Sequence, residues 1–591
     1  MKIENKLSKL REIMKKENID GYYINGTDPH NSENVCPRWK TRAFISDFTG
    51  SAGSVLVTSD KAYLWVDSRY YIQSDQQTKD SEFIVMKLEK DNTPTPTVFI
   101  NQMFEKDSRI GFSKDTLMID EKKQFQKDCK NVEIVVTEDF LNEVWEDRAL
   151  IPENGVVEMD VNLTGFSRGQ KLNMIRIYLG EKKADYVFIA SLDDIAWTLS
   201  LRGSDIDYTP VFIAYLLVTK EKAYLFTSDK RFDKDLLEKV KKDVEIYPYE
   251  EVVSKLGEII EKDKTLLINE KKVNTLFEKV IKDLNITIVD ELEVTTRLKA
   301  CKNETELDGM RRAHLLDGVA MVNFLATLDF DKGEYSELSL VDKIEVQRLR
   351  NKECLGLSFN TISGFKENGA ICHYSVSEES SKVVKANGLL VLDSGGCYES
   401  GTTDITRTLL FGEASEEEIR DYTLVLKGHI ALALQSFPQG TKGHHLDILA
   451  RQFLWNYGQT YFHGTGHGVG HRLNVHEGPQ KISQVVNDYP LQKGMVLSDE
   501  PGIYKEGRHG IRIENLIAVQ NNVKTEFGQF LNFEILTICP YELRLIDIAL
   551  LNDIELQYIN SYHNWVYEEL KDLVDKEALD YLKKATLRIT K

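Results

Sequence analysis

The chain has 591 residues, 42% hydrophobic and 29% charged, with a net charge of −19. This length exceeds what one core can organise and points to three or four domains of a globular protein. The acidic balance argues against a nucleic-acid or anionic-membrane partner. The N-terminal stretch, Met1-Lys-Ile-Glu-Asn-Lys-Leu-Ser-Lys-Leu10, holds no apolar signal core. The longest apolar run near the middle, Val211-Phe-Ile-Ala-Tyr-Leu-Leu-Val218, is far short of the ~20 residues of a spanning helix. Seven scattered cysteines with no Cys-x-x-Cys fit reduced thiols. The expectation is a cytoplasmic protein with no membrane partner.

The first three hundred residues contain a repeat. Val57-Thr-Ser-Asp-Lys-Ala-Tyr-Leu-Trp-Val66 returns as Val218-Thr-Lys-Glu-Lys-Ala-Tyr-Leu-Phe-Thr227. Upstream of each copy, helix-period apolar residues (7–18 and 171–183) give way to a strand-like run (19–24 and 184–189). Two duplicated α/β domains, 1–152 and 153–303, are expected. Asn303-Glu-Thr-Glu306 then has the form of a capping box opening a helix over 307–328. A third domain, 304–545, is richer in glycine and short strands. The segment 546–591 reads as a C-terminal helical extension.

The third domain echoes itself. Leu390-Val-Leu-Asp-Ser-Gly-Gly-Cys-Tyr-Glu-Ser-Gly401 resembles Val496-Leu-Ser-Asp-Glu-Pro-Gly-Ile-Tyr-Lys-Glu-Gly507. Each copy reads as a strand, a glycine turn and a second strand, with carboxylates at the ends: Asp393 and Asp404, then Glu500 and Glu514. Antiparallel pairing sets the two carboxylates of each copy near each other, where they repel unless a cation lies between them. One such pair is equally readable as solvated turn residues. A second pair in the same arrangement shifts the reading toward metal.

Between the acid pairs lies Tyr461-Phe-His-Gly-Thr-Gly-His-Gly-Val-Gly-His471. Its glycines disfavour a helix, so an extended run would point His463, His467 and His471 the same way. His467, flanked by glycine on both sides, is the best candidate ligand. One imidazole among four carboxylates suits two divalent ions of the Mn, Fe, Co or Zn kind. His373 and His476 lack ligand spacing. Each reads either as a pocket donor or as a structural histidine.

Taken together, Asp393-Ser-Gly, Asp404-Ile-Thr-Arg-Thr, His463-Gly-Thr-Gly-His-Gly-Val-Gly, Asn474-Val-His-Glu-Gly-Pro, Asp499-Glu-Pro-Gly-Ile-Tyr and Gly510-Ile-Arg-Ile-Glu-Asn resemble the pita-bread metallopeptidases. Within these the chain is similar to the long, three-domain Xaa-Pro aminopeptidases. Phe48-Thr-Gly-Ser-Ala-Gly53 and Leu201-Arg-Gly-Ser-Asp205 fit the paired creatinase-like N-terminal domains of that form. The resemblance implies an α/β chain with two duplicated creatinase-like domains ahead of a pita-bread α+β catalytic domain. It also implies that Asp393, Asp404, His467, Glu500 and Glu514 hold two metal ions, usually Mn. A metal-bridging hydroxide would attack the carbonyl before proline. Glu500, His463 and His476 would be the catalytic groups; Arg69, His373, His467 and His476 would face the substrate. Arg69 reads almost as well as a surface ion pair. Arg512 would support the acid cluster, and His471 is read as structural. The partners implied are peptides with penultimate proline and a second copy in a homodimer. The rivals are an Xaa-Pro dipeptidase (prolidase) or methionine aminopeptidase of the same fold, and a catalytically silent binding paralogue. Length and the doubled N-terminal domain favour the aminopeptidase; the complete ligand set disfavours the silent paralogue.

Overall fold

The computed structural model describes residues 1–90 and 92–591. Two compact units divide the chain: Met1–Asp160 with Phe166–Thr295, and Val161–Gly165 with Thr296–Lys591. The short return of Val161–Gly165 to the second unit has a local cause. Asn303 Nδ2 donates to the carbonyl of Thr164 at 2.9 Å.

In the first unit, two six-stranded sheets share one plan. The first orders Phe83–Lys87, Ala62–Val66, Ser54–Thr58, Gly21–Ile24, Ser108–Ser113 and Val132–Thr137. The second orders Glu245–Tyr247, Ala223–Phe226, Tyr215–Thr219, Tyr186–Ile189, Thr265–Ile268 and Thr287–Asp290. Counted along the chain, both run 4-3-2-1-5-6. The pairing senses also match. Strands 1–2 and 2–3 are antiparallel, and the remaining neighbours are parallel. The repeated sequence forms the 2–3 hairpin in one register, Val57 opposite Ala62 and Val218 opposite Ala223. Helices cover the sheets, so the central strands are apolar on successive residues; Val55, Leu56 and Val57 are all fully buried.

The second unit begins as expected. Asn303 and Glu306 close a capping box on helix Glu304–Ala326. Helices Glu304–Ala326 and Glu337–Leu349 precede a three-stranded sheet of Ile362–Phe365, Asn387–Ser394 and Ile405–Gly412. Helices Glu416–Ala433 and Gly443–Trp455 precede a larger sheet, which contains Gly466–Gly468, Val496–Asp499 and Asn515–Thr525. The internal echo therefore extends to whole halves. Its turns are more elaborate than a glycine turn. Between the paired strands, Gly396–Tyr398 with Gly401–Thr402 forms a small hairpin that also pairs with strand Cys354–Leu357, and Gly502–Lys505 with His509–Arg512 forms a two-stranded hairpin. The connecting segments carry enough strand-forming residues to pair with themselves. An isolated bridge between Thr406 and Glu514 joins the halves beside the acidic residues.

Helix Asp553–Leu570, near the C-terminus, also starts at a capping box, Asn552 with Glu555. It buries Ile559, Tyr562 and Val566 in the apolar cluster that holds Val425, Ile430, Ile513 and Tyr541.

Candidate metal centre

The four acids arrive from strand ends. Asp393 lies in strand Asn387–Ser394, whose residues Leu389, Leu390, Val391 and Leu392 are buried apolar, so the carboxylate is carried into the core by its neighbours. Asp404 immediately precedes strand Ile405–Gly412, and Glu514 sits between Arg512 and strand Asn515–Thr525. Glu500 follows strand Val496–Asp499, held by its own N–H to the carbonyl of Thr465 at 2.8 Å. Asp393, Asp404 and Glu514 are almost fully buried. His467 comes from the three-residue strand Gly466–Gly468.

Asp404, His467 and Glu514 each present one ligand atom within 4.8 Å of the others. His467 Nε2 is 3.5 Å from Asp404 Oδ2 and 3.5 Å from Glu500 Oε1. Its Nδ1 is 3.0 Å from the carbonyl oxygen of Gly468, which can only accept. Nδ1 therefore carries a proton, and Nε2 is the nitrogen turned to the carboxylates, as a metal-binding imidazole requires. The extended histidine run is confined to Gly466–Gly468. His471 lies beyond it, buried against Gly309 of the helix Glu304–Ala326.

A buried scaffold holds the acids. Arg512 Nη2 donates to Asp393 Oδ2 at 2.5 Å, and Nη1 donates to the Tyr504 hydroxyl at 2.7 Å. Tyr504 in turn lies 3.0 Å from His463 Nε2. His463 Nδ1 faces the Gly464 carbonyl at 2.7 Å, so the ring is protonated there and accepts from Tyr504 at Nε2. That ring also stands 4.0 Å from Glu500 Oε2. Thr406 Oγ1 donates to Glu514 Oε2 at 2.8 Å. Arg407, fully buried, donates to the Glu514 carbonyl at 2.7 Å and to Asn515 Oδ1 at 2.8 Å.

The electrostatics are those of a cation site. Burial, with Asp404 and Asp393 nearby, pushes the Glu500 carboxyl up to about 7 against the pull of His467 and Arg512. Burial and the neighbouring Asp404 and Glu500 push Glu514 well above the carboxylate range. Burial likewise raises Asp393. Burial alone would lower His467, but the hydrogen bond to Asp404 and the charge of Glu500 carry it to about 9. Asp393 Oδ1 is buried with no hydrogen-bond donor. Four crowded carboxylates, one imidazole lone pair and an unsatisfied carboxylate oxygen fit divalent cations, which relieve the repulsion and accept the spare oxygen.

The other expected residues fall as follows. His476 is exposed, and its ring packs edge-on against His467 at 4.3 Å. His373 lies in the turn after Lys366–Ala370, half-buried. The carbonyl of its neighbour Cys372 is 3.4 Å from Arg512 Nη1, which ties this loop to the acid cluster. Arg69 lies in the first unit, where its Nε and Nη2 grip Asp67 at 2.8 and 2.7 Å. Tyr504, Thr406 and Arg407 were given no role from the sequence. The signal for Tyr504 was its alignment with Tyr398 in the internal echo; Thr406 and Arg407 lay inside the Asp404-Ile-Thr-Arg-Thr motif.

Comparison with known proteins places the chain in a family. Residues 308–521 match the model of metallopeptidase family M24, and 529–589 match the C-terminal region of those peptidases. Residues 6–145 and 147–306 match two models of the creatinase/prolidase N-terminal domain. The chain is 38% identical to a probable Xaa-Pro aminopeptidase P of Laccaria bicolor, over 98% of this chain and 92% of that protein. It is 36% identical to Xaa-Pro aminopeptidase 1 of Dictyostelium discoideum, over 98% of this chain and 96% of that protein. The crystal structure of an X-prolyl aminopeptidase from Caenorhabditis elegans, described as a cytosolic enzyme with a di-nuclear active site, superposes with a TM-score of 0.94. Its sequence identity is 33%, and the match covers 100% of both chains.

Proposed function

Because the chain belongs to the Xaa-Pro aminopeptidases of metallopeptidase family M24, we propose that this hydrolase releases the N-terminal residue from peptides with proline in second position. The observation that carries the proposal is the convergence of Asp404, His467 and Glu514 within ligand range, with Glu500 at 3.5 Å from His467. Asp393, Asp404, His467, Glu500 and Glu514 would hold two divalent ions, with manganese the expected metal. When bound, the ions would polarise the scissile carbonyl and lower the pKa of water toward neutrality.

The chain's own groups account for the rest. Glu500 is the proton carrier. It takes a proton at a carboxylate oxygen and returns it to the departing proline nitrogen. His476, packed on His467, donates to the carbonyl oxygen as it gains charge. His463, whose Nδ1–H is held by Gly464 and whose Nε2 accepts from Tyr504, is assigned to the catalytic groups on resemblance alone. His373 holds the peptide from the loop beside Arg512. Arg69 is assigned to the substrate side on resemblance alone. The division at about 152, 303 and 545 belongs to the same reading and is supported by the bounds of the family matches. So do a homodimer and a cytoplasmic location. The latter is supported by the cytosolic C. elegans enzyme and by the lack, among the described residues, of any helix long and apolar enough to cross a membrane.

The test is hydrolysis of Xaa-Pro-Xaa tripeptides against Xaa-Pro dipeptides, after chelation and after manganese is restored. Tripeptide cleavage that returns with manganese is the expected result. Cleavage of the dipeptide alone would replace this reading with a prolidase.

A further inference from the structure

We propose that Glu337 is the positioning residue for His373: its carboxylate folds the loop that presents this histidine, an inference that rests on the substrate-side role given to His373 above. The loop runs from the turn Lys366–Ala370 to strand Val383–Lys385. It has no regular structure over 371–382. A segment of that length holds one conformation only if something inside it supplies the missing bonds.

Glu337 supplies them. It is the first residue of helix Glu337–Leu349 and is fully buried. Its Oε1 accepts from the Phe365 N–H at 2.6 Å and from Asn368 Nδ2 at 3.0 Å. Its Oε2 lies 2.8 Å from the Lys382 N–H and 3.0 Å from the Tyr374 hydroxyl. One carboxylate thus grips the loop before its turn (Phe365), at its end (Lys382) and in its middle (Tyr374). Charge-assisted bonds of this kind are the strong ones, and the first turn of a helix favours a negative group. Tyr374 follows His373 directly and is itself buried. Cys372 precedes His373 and offers its carbonyl to Arg512 at 3.4 Å. The histidine is therefore pinned on one side to Glu337 through Tyr374 and on the other to the acid cluster through Arg512.

A Glu337→Gln change keeps the shape but replaces one acceptor oxygen by a donor that faces other donors. In the manganese-loaded full chain we expect kcat/KM on an Xaa-Pro-Xaa tripeptide to fall ~10–100-fold, with manganese per chain and manganese affinity unchanged. Amide exchange should accelerate over 371–382 and stay as it is in helix Glu416–Ala433. The deciding comparison is a His373→Ala background. If Glu337 acts through His373, adding E337Q there costs less than ~3-fold. An equal loss in both backgrounds, or a loss of bound manganese, overturns the proposal. If His373→Ala alone leaves kcat/KM intact, the role of His373 falls, and this inference with it. Should E337Q not fold, Tyr374→Phe removes one donor and must show the same non-additivity with a smaller loss, ~3–10-fold.

Discussion

Removing one oxygen, in Tyr504→Phe, tests the scaffold beneath the metal centre. The Tyr504 hydroxyl accepts from Arg512 Nη1 at 2.7 Å and donates to His463 Nε2 at 3.0 Å. The ring remains, so packing hardly changes. One bond to a buried cation and one to a neutral imidazole are lost. A hydrogen bond to a charged group contributes about 1.5–3 kcal/mol and a neutral one about 1 kcal/mol. Arg512 keeps Asp393 Oδ2 and Thr406 Oγ1 as partners, so the loss should lie toward the lower end, about 2 kcal/mol. For a domain of this size that is a fall in Tm of ~4–8 °C. The larger effect is on His463, which keeps its Nδ1 bond to Gly464 but loses the partner that fixes its other edge. We expect kcat/KM to drop ~10–100-fold, mostly in kcat, with two metals still bound. Differential scanning calorimetry, metal analysis and tripeptide kinetics on one preparation give the three numbers. Wild-type kinetics, or kinetics lost together with the metal, would refute the relay from Arg512 through Tyr504 to His463.

Three further outcomes are expected. Metal binding should expel protons. A Glu500 carboxyl raised from 4.5 to about 7 keeps its proton when folded after the unfolded chain has released it. Metal-free protein therefore loses stability as pH climbs through that window, while manganese affinity rises through it. Calorimetric titration at about pH 6 and about pH 8, in buffers of different ionisation enthalpy, measures the proton count; binding without proton release would contradict the assignment. Gly510→Ala should leave little folded protein, because a Cβ there would overlap the carbonyl oxygen of Gly369 in the turn ahead of His373. Soluble yield and circular dichroism decide, and a normal variant would mean that the turn does not press on strand His509–Arg512. Asp421→Asn should loosen the hairpin that carries Tyr504 and Arg512. Burial opposes the Asp421 charge, but bonds from His509 and Lys505 outweigh it and hold the carboxyl at about 2, below its ordinary 3.8. That depression stabilises the fold by about 2 kcal/mol above pH 4, and the contribution is lost as pH falls toward 2. Denaturant unfolding of both proteins should show the gap at neutral pH, narrowing below about pH 4; an equal gap at every pH would exclude an electrostatic cause.

Much of this architecture can be read locally. The repeat beginning at Val57 and at Val218 marks the same hairpin in two sheets, because strand period and turn chemistry act over a few residues. The cap at Asn303 is legible for the same reason: its partners lie three residues away. The small hairpins inside each acidic repeat were not legible, since a stretch such as Gly502–Lys505 pairs with itself or with a neighbour according to what surrounds it. Nor was the pinning of His509 and Lys505 on Asp421, whose partners lie more than eighty residues away in sequence.

At the site, the residue types and order of Asp393, Asp404, His467, Glu500 and Glu514 were set out by the sequence alone, since metal preference is a property of donor atoms. Tertiary structure decided the remainder. It gave Tyr504 its hydroxyl contacts, placed Arg407 under Glu514, divided His463 from His471, and bound the His373 loop to Glu337. Most are contacts between segments far apart in the chain, made inside a dry interior where one polar partner more or less is worth kilocalories. No periodicity or spacing encodes them; they exist only once the elements of the catalytic unit have packed together.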